Sequence, residues 1–121
     1  MSQVITKEDL NKWLESLLKD RTVVAPVAAD GVTMFRLIAR PEDVVYKPGN
    51  ATLGPKECLF PLSHTIFTVE RNDNGVSIVP DTMDREIVVF GLRPCDAQGF
   101  AIFDLPMLGD PADLYYKDRR E

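Results

Sequence analysis

Arg93, Pro94, Cys95 and Asp96 bring a guanidinium, a thiol and a carboxylate into four consecutive positions, directly after Ile87-Val88-Val89-Phe90-Gly91-Leu92. A β-branched run, a glycine and a proline suited to a first helical turn predict a strand, a tight loop and a helix start. A thiol at a helix amino terminus meets unpaired N–H groups and the positive end of the dipole, which favour its anion. Arg93 pushes the same way and Asp96 pushes against it, so the sign of the net effect stays open. Three roles are open to this loop. Cys95 is a small buried packing residue, with Arg93 and Asp96 paired to backbone or to each other. Alternatively, Arg93, Cys95 and Asp96 form a contact for a cofactor, cluster or partner, as loops at sheet ends commonly do. In the third role Cys95 is a nucleophile, but the single histidine, His64, lies in another segment, and a thiol catalyst wants a base beside it.

The remaining reactive groups are sparse. Cys58 and Cys95 are the only cysteines. With His64 they fall short of the four ligands of a structural zinc site or a four-thiolate iron–sulfur cluster, so no metal is expected within the chain. Their separation and a reducing cytoplasm imply two free thiols. Gly49-Asn50-Ala51-Thr52-Leu53-Gly54-Pro55-Lys56 lacks the order of a phosphate-binding loop. A net charge of -5 argues against nucleic acid, whose partners concentrate Lys and Arg on one face. No window approaches the roughly 20 apolar residues of a membrane span, so no membrane insertion is expected. The start, Met1-Ser2-Gln3-Val4-Ile5-Thr6, reads as leaderless, which makes a cytoplasmic location the expectation.

The elements that must position the loop can be read from periodicity. A length of 121 residues with 45% hydrophobic and 27% charged content suits one domain with a modest core. Thr6 and Asp9 form a capping-box-like start to an amphipathic helix ending near Asp20, with Trp13 expected in the core beside Leu10, Leu14 and Leu17. Thr22 to Ala28 and Val32 to Ile38 flank an Asp30-Gly31 turn and predict a hairpin, with Pro26 indicating an edge strand. Arg40 to Pro61, with four prolines and two glycines, reads as a structured loop region. Thr65 to Glu70 and Val76 to Val79 predict a second hairpin, with Asn74-Gly75 supplying the turn. Phe100 and Phe103 give the helix after Arg93 its apolar side until Pro106 and Gly109 stop it, and Asp110 to Glu121 reads as irregular and solvated. The expected fold is α/β or α+β: a mixed or mainly antiparallel sheet with two hairpins, packed helices, and a strand-loop-helix unit at 86–105.

Several of these pieces together resemble the amino-terminal region of a family of two-cluster ferredoxin-like proteins, which includes the beta subunits of sulfhydrogenases and a subunit of anaerobic sulfite reductase. The segments that carry the resemblance are the opening helix with Leu14 and Leu17, Val24-Ala25-Pro26-Val27, and Gly54-Pro55-Lys56-Glu57-Cys58-Leu59-Phe60-Pro61. It is strongest at Val89-Phe90-Gly91-Leu92-Arg93-Pro94-Cys95-Asp96 and at Asp113-Leu114-Tyr115-Tyr116-Lys117-Asp118-Arg119-Arg120-Glu121. The resemblance implies that residues 1–121 are the single amino-terminal domain of a larger iron–sulfur electron-transfer protein, with the cluster-binding region absent. It further implies that [4Fe-4S] clusters belong to a later ferredoxin-like region, and that the partners are that region and other subunits of an anaerobic oxidoreductase complex. On that reading this domain scaffolds or docks the cluster region and is not itself catalytic. The rivals are a non-redox binding or assembly module and a small thiol enzyme using Cys95.

Overall fold

A computed structural model describes residues 3–47, 49–82 and 86–121. Met1 and Ser2 of the chain start and Pro48 of the proline-rich stretch therefore lie outside the described residues. The architecture is α+β, with helix α1 (Lys7–Leu18), strands β1 (Thr22–Ala29), β2 (Val32–Leu37), β3 (Phe67–Asn72), β4 (Gly75–Pro80) and β5 (Ile87–Val89), and helices α2 (Pro94–Met107) and α3 (Leu114–Arg120). The strands form a mixed sheet in the order β2-β1-β5, with β5 parallel to β1, and a separate antiparallel ribbon β3-β4.

α1 starts where the sequence places it. The Thr6 hydroxyl accepts from the Asp9 N–H at 3.1 Å and donates to the Asp9 carboxylate at 2.6 Å, satisfying one of the helix's orphan donors. The apolar face differs from the reading in one residue. Leu14 is fully buried with Val23, Ala25, Ile38 and Val44, and Leu17 and Leu18 flank it, but Trp13 is 47% exposed. Its ring lies at the rim of this cluster, tilted against Phe90 at 6.3 Å. The physical reason is angular: one turn of helix can aim only a narrow arc at a three-stranded sheet, and Leu14 with Leu17 and Leu18 occupies that arc.

The first hairpin follows its turn chemistry. Asp30 at φ 51° and Gly31 at φ 78° both occupy the left-handed region a two-residue hairpin loop requires, and Ala29 pairs with Val32 across it. Pro26, by contrast, is not on an edge: β1 is the central strand and Pro26 is almost wholly buried. The hydrogen bonds explain how a central strand tolerates it. Val24 O accepts from Phe90 N at 2.8 Å on the β5 side, whereas Val23 O accepts from Ile38 N at 3.0 Å on the β2 side. Position 26 therefore faces the β5 side, where β5 has already ended at Val89, and the missing N–H interrupts no ladder. Gly91, at φ 75°, turns the chain there, and a Cβ on it would stand 3.2 Å from Pro26 Cδ.

The second hairpin exists, but its loop is Asp73-Asn74, closed by an Asn72–Gly75 pair, so Gly75 follows the turn instead of forming it. The Asn72 side chain accepts from Asn74 N at 3.1 Å, a local bond that organises the loop without an Asn-Gly pair at its centre. All twelve residues of this ribbon are exposed. Its register puts Phe67, Val69, Val76 and Ile78 on one face and Glu70, Asn72 and Ser77 on the other. Tyr115 Oη donates to Ile66 O at 2.5 Å and holds the ribbon's base.

The stretch expected to be irregular after Asp110 contains α3. Asp113 accepts from Tyr116 N at 2.8 Å as an N-cap, and Tyr116, 1% exposed, anchors a second cluster with Leu59 and Phe100. Burial of one aromatic, supported by a cap, overrides the polar composition of Lys117 to Glu121. The described residues thus form two apolar centres. One lies between α1 and the sheet, and the other joins α2, α3 and the turn at Pro55–Cys58.

Candidate functional site

The strand-loop-helix unit is present as read, with β5 leading through Gly91 to α2. Arg93 is the N-cap of α2 in extended conformation, its carbonyl accepting from Ala97 N at 3.0 Å, and Pro94 takes the first helical position. No side chain caps α2. Arg93 is instead turned sideways: Nη1 donates to Asn50 Oδ1 at 2.7 Å, and Nε lies 3.6 Å from Asp96 Oδ2. The guanidinium therefore ties the proline-rich loop to the helix start. Asp96 Oδ2 is buried and makes no hydrogen bond with the described residues, leaving the longer Arg93 contact as its compensation.

Cys95 is exposed, which removes the reading of it as a buried packing residue. A helix start pinned by Arg93 and Pro94 projects the second residue outward, while Phe100, more than a turn further on, carries the packing. Beside Cys95 lies a cleft of about 150 Å³, walled by Gly54, Pro55, Lys56, Asp96 and Phe103. The Lys56 ammonium sits 4.6 Å above the Phe103 ring, so the cleft has one cation, one carboxylate and one thiol around an apolar floor. Such a cleft is too small for a nucleotide or flavin, which need several hundred Å³. His64 packs near Tyr115, ring centroids 5.7 Å apart, and lines a different cleft. Among the described residues around Cys95 there is no histidine to serve a thiol nucleophile as its base.

Among the described residues no group of three or more His, Cys, Asp or Glu is placed to hold a metal ion. Both cysteines are free thiols. Cys58 is half-buried, and that burial pushes its thiol up to about 11, which favours the neutral form at ordinary pH. No described helix is long and apolar enough to cross a membrane.

Behind the cleft stands a polar network that the sequence reading missed. Asp104 of α2 accepts from Tyr116 Oη at 2.7 Å and receives a two-pronged grip from Arg120, Nε and Nη2 each at 2.9 Å. The Arg120 and Tyr116 hydrogen bonds hold the Asp104 carboxyl below its ordinary range. Burial, then the bond to Asp104, pushes the Tyr116 phenol up to about 12. The Asp113-x-x-Tyr116 cap was a usable signal for α3, but nothing in the sequence marks Asp104 as the partner of residues twelve and sixteen positions away. Asn50 was likewise invisible as the partner of Arg93. No family model, curated protein or solved structure matches this chain.

Proposed function

We propose that this domain is the docking scaffold of an iron–sulfur electron-transfer subunit in a cytoplasmic anaerobic oxidoreductase complex. Its partners are a ferredoxin-like, [4Fe-4S]-bearing region of the same protein and the neighbouring subunits. One observation supports the reading most. Two of the segments that carry the family resemblance, 54–61 and 113–121, meet at α2 beside the third, the Arg93 loop: Gly54 to Lys56 wall the cleft beside Cys95 and Asp96, Phe60 packs at 5.3 Å on Tyr116, and Arg120 grips Asp104. These contacts tie the helical half together, while Cys95 at its edge stays exposed to a neighbour. The uncovered apolar side of the β3-β4 ribbon favours an assembly role in the same complex, since an isolated two-stranded hairpin is marginal without a partner or a core.

Two measurements test this. Anaerobic reconstitution of residues 1–121 with iron and sulfide is expected to leave the chain colourless, because two cysteines cannot complete a four-thiolate shell. The parent reading frame is expected to carry two groups of closely spaced cysteines beyond Glu121 and to yield an iron-loaded protein. Stoichiometric cluster absorbance in a monomer of 1–121, or a parent without those cysteines, would sink the proposal. Cys95→Ser is expected to leave the melting temperature of 1–121 nearly unchanged, whereas Arg93→Ala, which removes the Asn50 tie and the compensation of buried Asp96 Oδ2, is expected to lower it without unfolding the chain. In the parent complex they are expected to weaken partner binding or slow electron transfer by about tenfold, the scale of one charge-assisted contact. Loss of folding in 1–121 with normal activity in the parent would make the loop structural.

A further inference from the structure

The sheet has two faces, and the second one is incompletely covered. Val23, Ala25 and Val88 point into the cluster under α1, so Thr22, Val24 and Ile87 point the other way, joined by Phe35 and Leu37, which pair with Pro26 and Val24. Arg36, paired with Ala25, belongs to the α1 face and takes no part. Opposite the second face stand Glu57 and Cys58 from the turn at Pro55–Cys58, then Pro61, and Arg119 from α3. Between the two walls runs a groove of about 530 Å³, within the size range of small-molecule sites. Leu37, 69% exposed, is the outermost of its apolar residues.

Two charges on the second wall lack the partners that comparable charges have elsewhere. Among the described residues, half-buried charged side chains come in ion pairs: Arg21 with Glu86, Asp43 with Arg40, Arg93 with Asp96, and Asp104 with Arg120. The remaining half-buried charges are Glu57 and Arg119, and both line the groove. Glu57 makes no side-chain hydrogen bond or ion pair with the described residues. Arg119 donates one N–H to the Tyr115 carbonyl at 3.3 Å and meets no described carboxylate. Drawing a charge partly out of water without a counter-charge is unfavourable, and here it happens twice on one wall. The groove is neutral as a whole, so it favours neither a simple anion nor a simple cation. A separated carboxylate and guanidinium beside an apolar floor suit a ligand that carries both charges and an apolar body.

We propose that this groove binds a free apolar α-amino acid as its zwitterion, the ammonium held by Glu57, the carboxylate by Arg119 and the side chain lying on Val24, Phe35, Leu37 and Ile87. Such a ligand supplies each unpaired protein charge with its counter-charge and covers the open sheet face at the same time. The site is independent of the Arg93 loop and of the docking role proposed above. The turn at Pro55–Cys58 separates the two cavities, with Lys56 on the cleft and Glu57 and Cys58 on the groove.

The experiment titrates the 121-residue chain with L-leucine, with leucinamide, which lacks the carboxylate, and with N-acetyl-leucine, which lacks the ammonium. Backbone amide NMR shifts locate binding and give the dissociation constant. L-leucine is expected to give saturable shifts at Val24, Phe35, Leu37, Glu57, Ile87 and Arg119. Each analogue is expected to bind roughly tenfold more weakly, the scale of one lost charge-assisted contact. Glu57→Gln should weaken L-leucine by a similar factor and leave N-acetyl-leucine unchanged, because that analogue brings no ammonium to position 57. Since Glu57 has no described partner to lose, this variant should melt with the wild type. Arg119→Met should do the reverse, weakening L-leucine and N-acetyl-leucine and leaving leucinamide unchanged. Leu37→Trp, which fills the mouth, should abolish binding of all three. The proposal is overturned by shifts that do not saturate or that map elsewhere, by an analogue that binds as tightly as L-leucine, or by a Glu57→Gln variant that binds L-leucine as the wild type does. It is also overturned if an apolar peptide binds the groove and L-leucine does not.

Discussion

Replacing Tyr116 by alanine is expected to cost about 3–5 kcal/mol, the range for deleting a fully buried aromatic, and to unfold the helical half of the molecule. Tyr116 is 1% exposed, lies at the centre of the cluster with Leu59 and Phe100, and faces Phe60 at 5.3 Å. A domain of this size has a total stability of only about 5–15 kcal/mol, so the loss should show as a collapse of the urea midpoint and of the near-UV circular dichroism. Tyr116→Phe keeps the ring and should be much milder at pH 7. It should also change the response to alkali. The folded phenol is raised to about 12, above its unfolded value near 10, so its contribution is fully present below pH 10 and is lost as pH rises toward 12. The wild type should therefore lose more stability than Tyr116→Phe over that window. Asp104 has the opposite sign. Its folded pKa is depressed, so its contribution is present above the ordinary carboxylate pKa of about 4 and disappears as pH falls through the lower folded value. Asp104→Asn should flatten that acid limb. If the alkaline and acid limbs match the wild type in both variants, the Tyr116–Asp104–Arg120 network does not exist in solution.

Leu14→Ala is expected to cost about 2–5 kcal/mol, toward the upper end because the site has no solvent exposure and is enclosed by two strands and the loop at Val44. The neighbouring Trp13→Ala should cost less than half the about 3–5 kcal/mol of a buried aromatic, since its ring is half in water. The comparison is the test. Equal losses in chemical denaturation would place Trp13 in the core after all, as its spacing alone had indicated. A small loss for Trp13 leaves an exposed tryptophan beside Phe90, a natural fluorescence reporter for anything that docks on this side of α1.

Local signals were strong where one residue type answers one backbone requirement. Asp30-Gly31 specified a turn because two consecutive left-handed residues are tolerated by few other pairs, and Thr6 with Asp9 specified a helix start because orphan N–H groups need an acceptor three residues back. The strand, glycine, proline order before Cys95 located the loop and its helix for the same reason. Where several solutions share a pattern, the reading slipped. Pro26 argued for an edge because a central strand normally needs every N–H, and only the early end of β5 shows why this one does not. Polar residues 117–121 argued for a frayed tail because composition cannot register that one tyrosine finds a pocket.

What the chain alone determined is therefore its vocabulary: a helix, two hairpins, a strand-loop-helix unit, and a thiol flanked by Arg93 and Asp96. Those rest on interactions within a few residues, which spacing records. Tertiary structure alone decided that β1 is central, that Cys95 faces solvent while Cys58 is half-buried, and that Arg93 reaches Asn50. It also decided that Asp104 collects Tyr116 and Arg120, and that the second sheet face is left partly open beside Arg119. Each of these depends on which distant surfaces meet, and the burial energy that selects the meeting is non-directional, so it leaves no local mark in the order of residues.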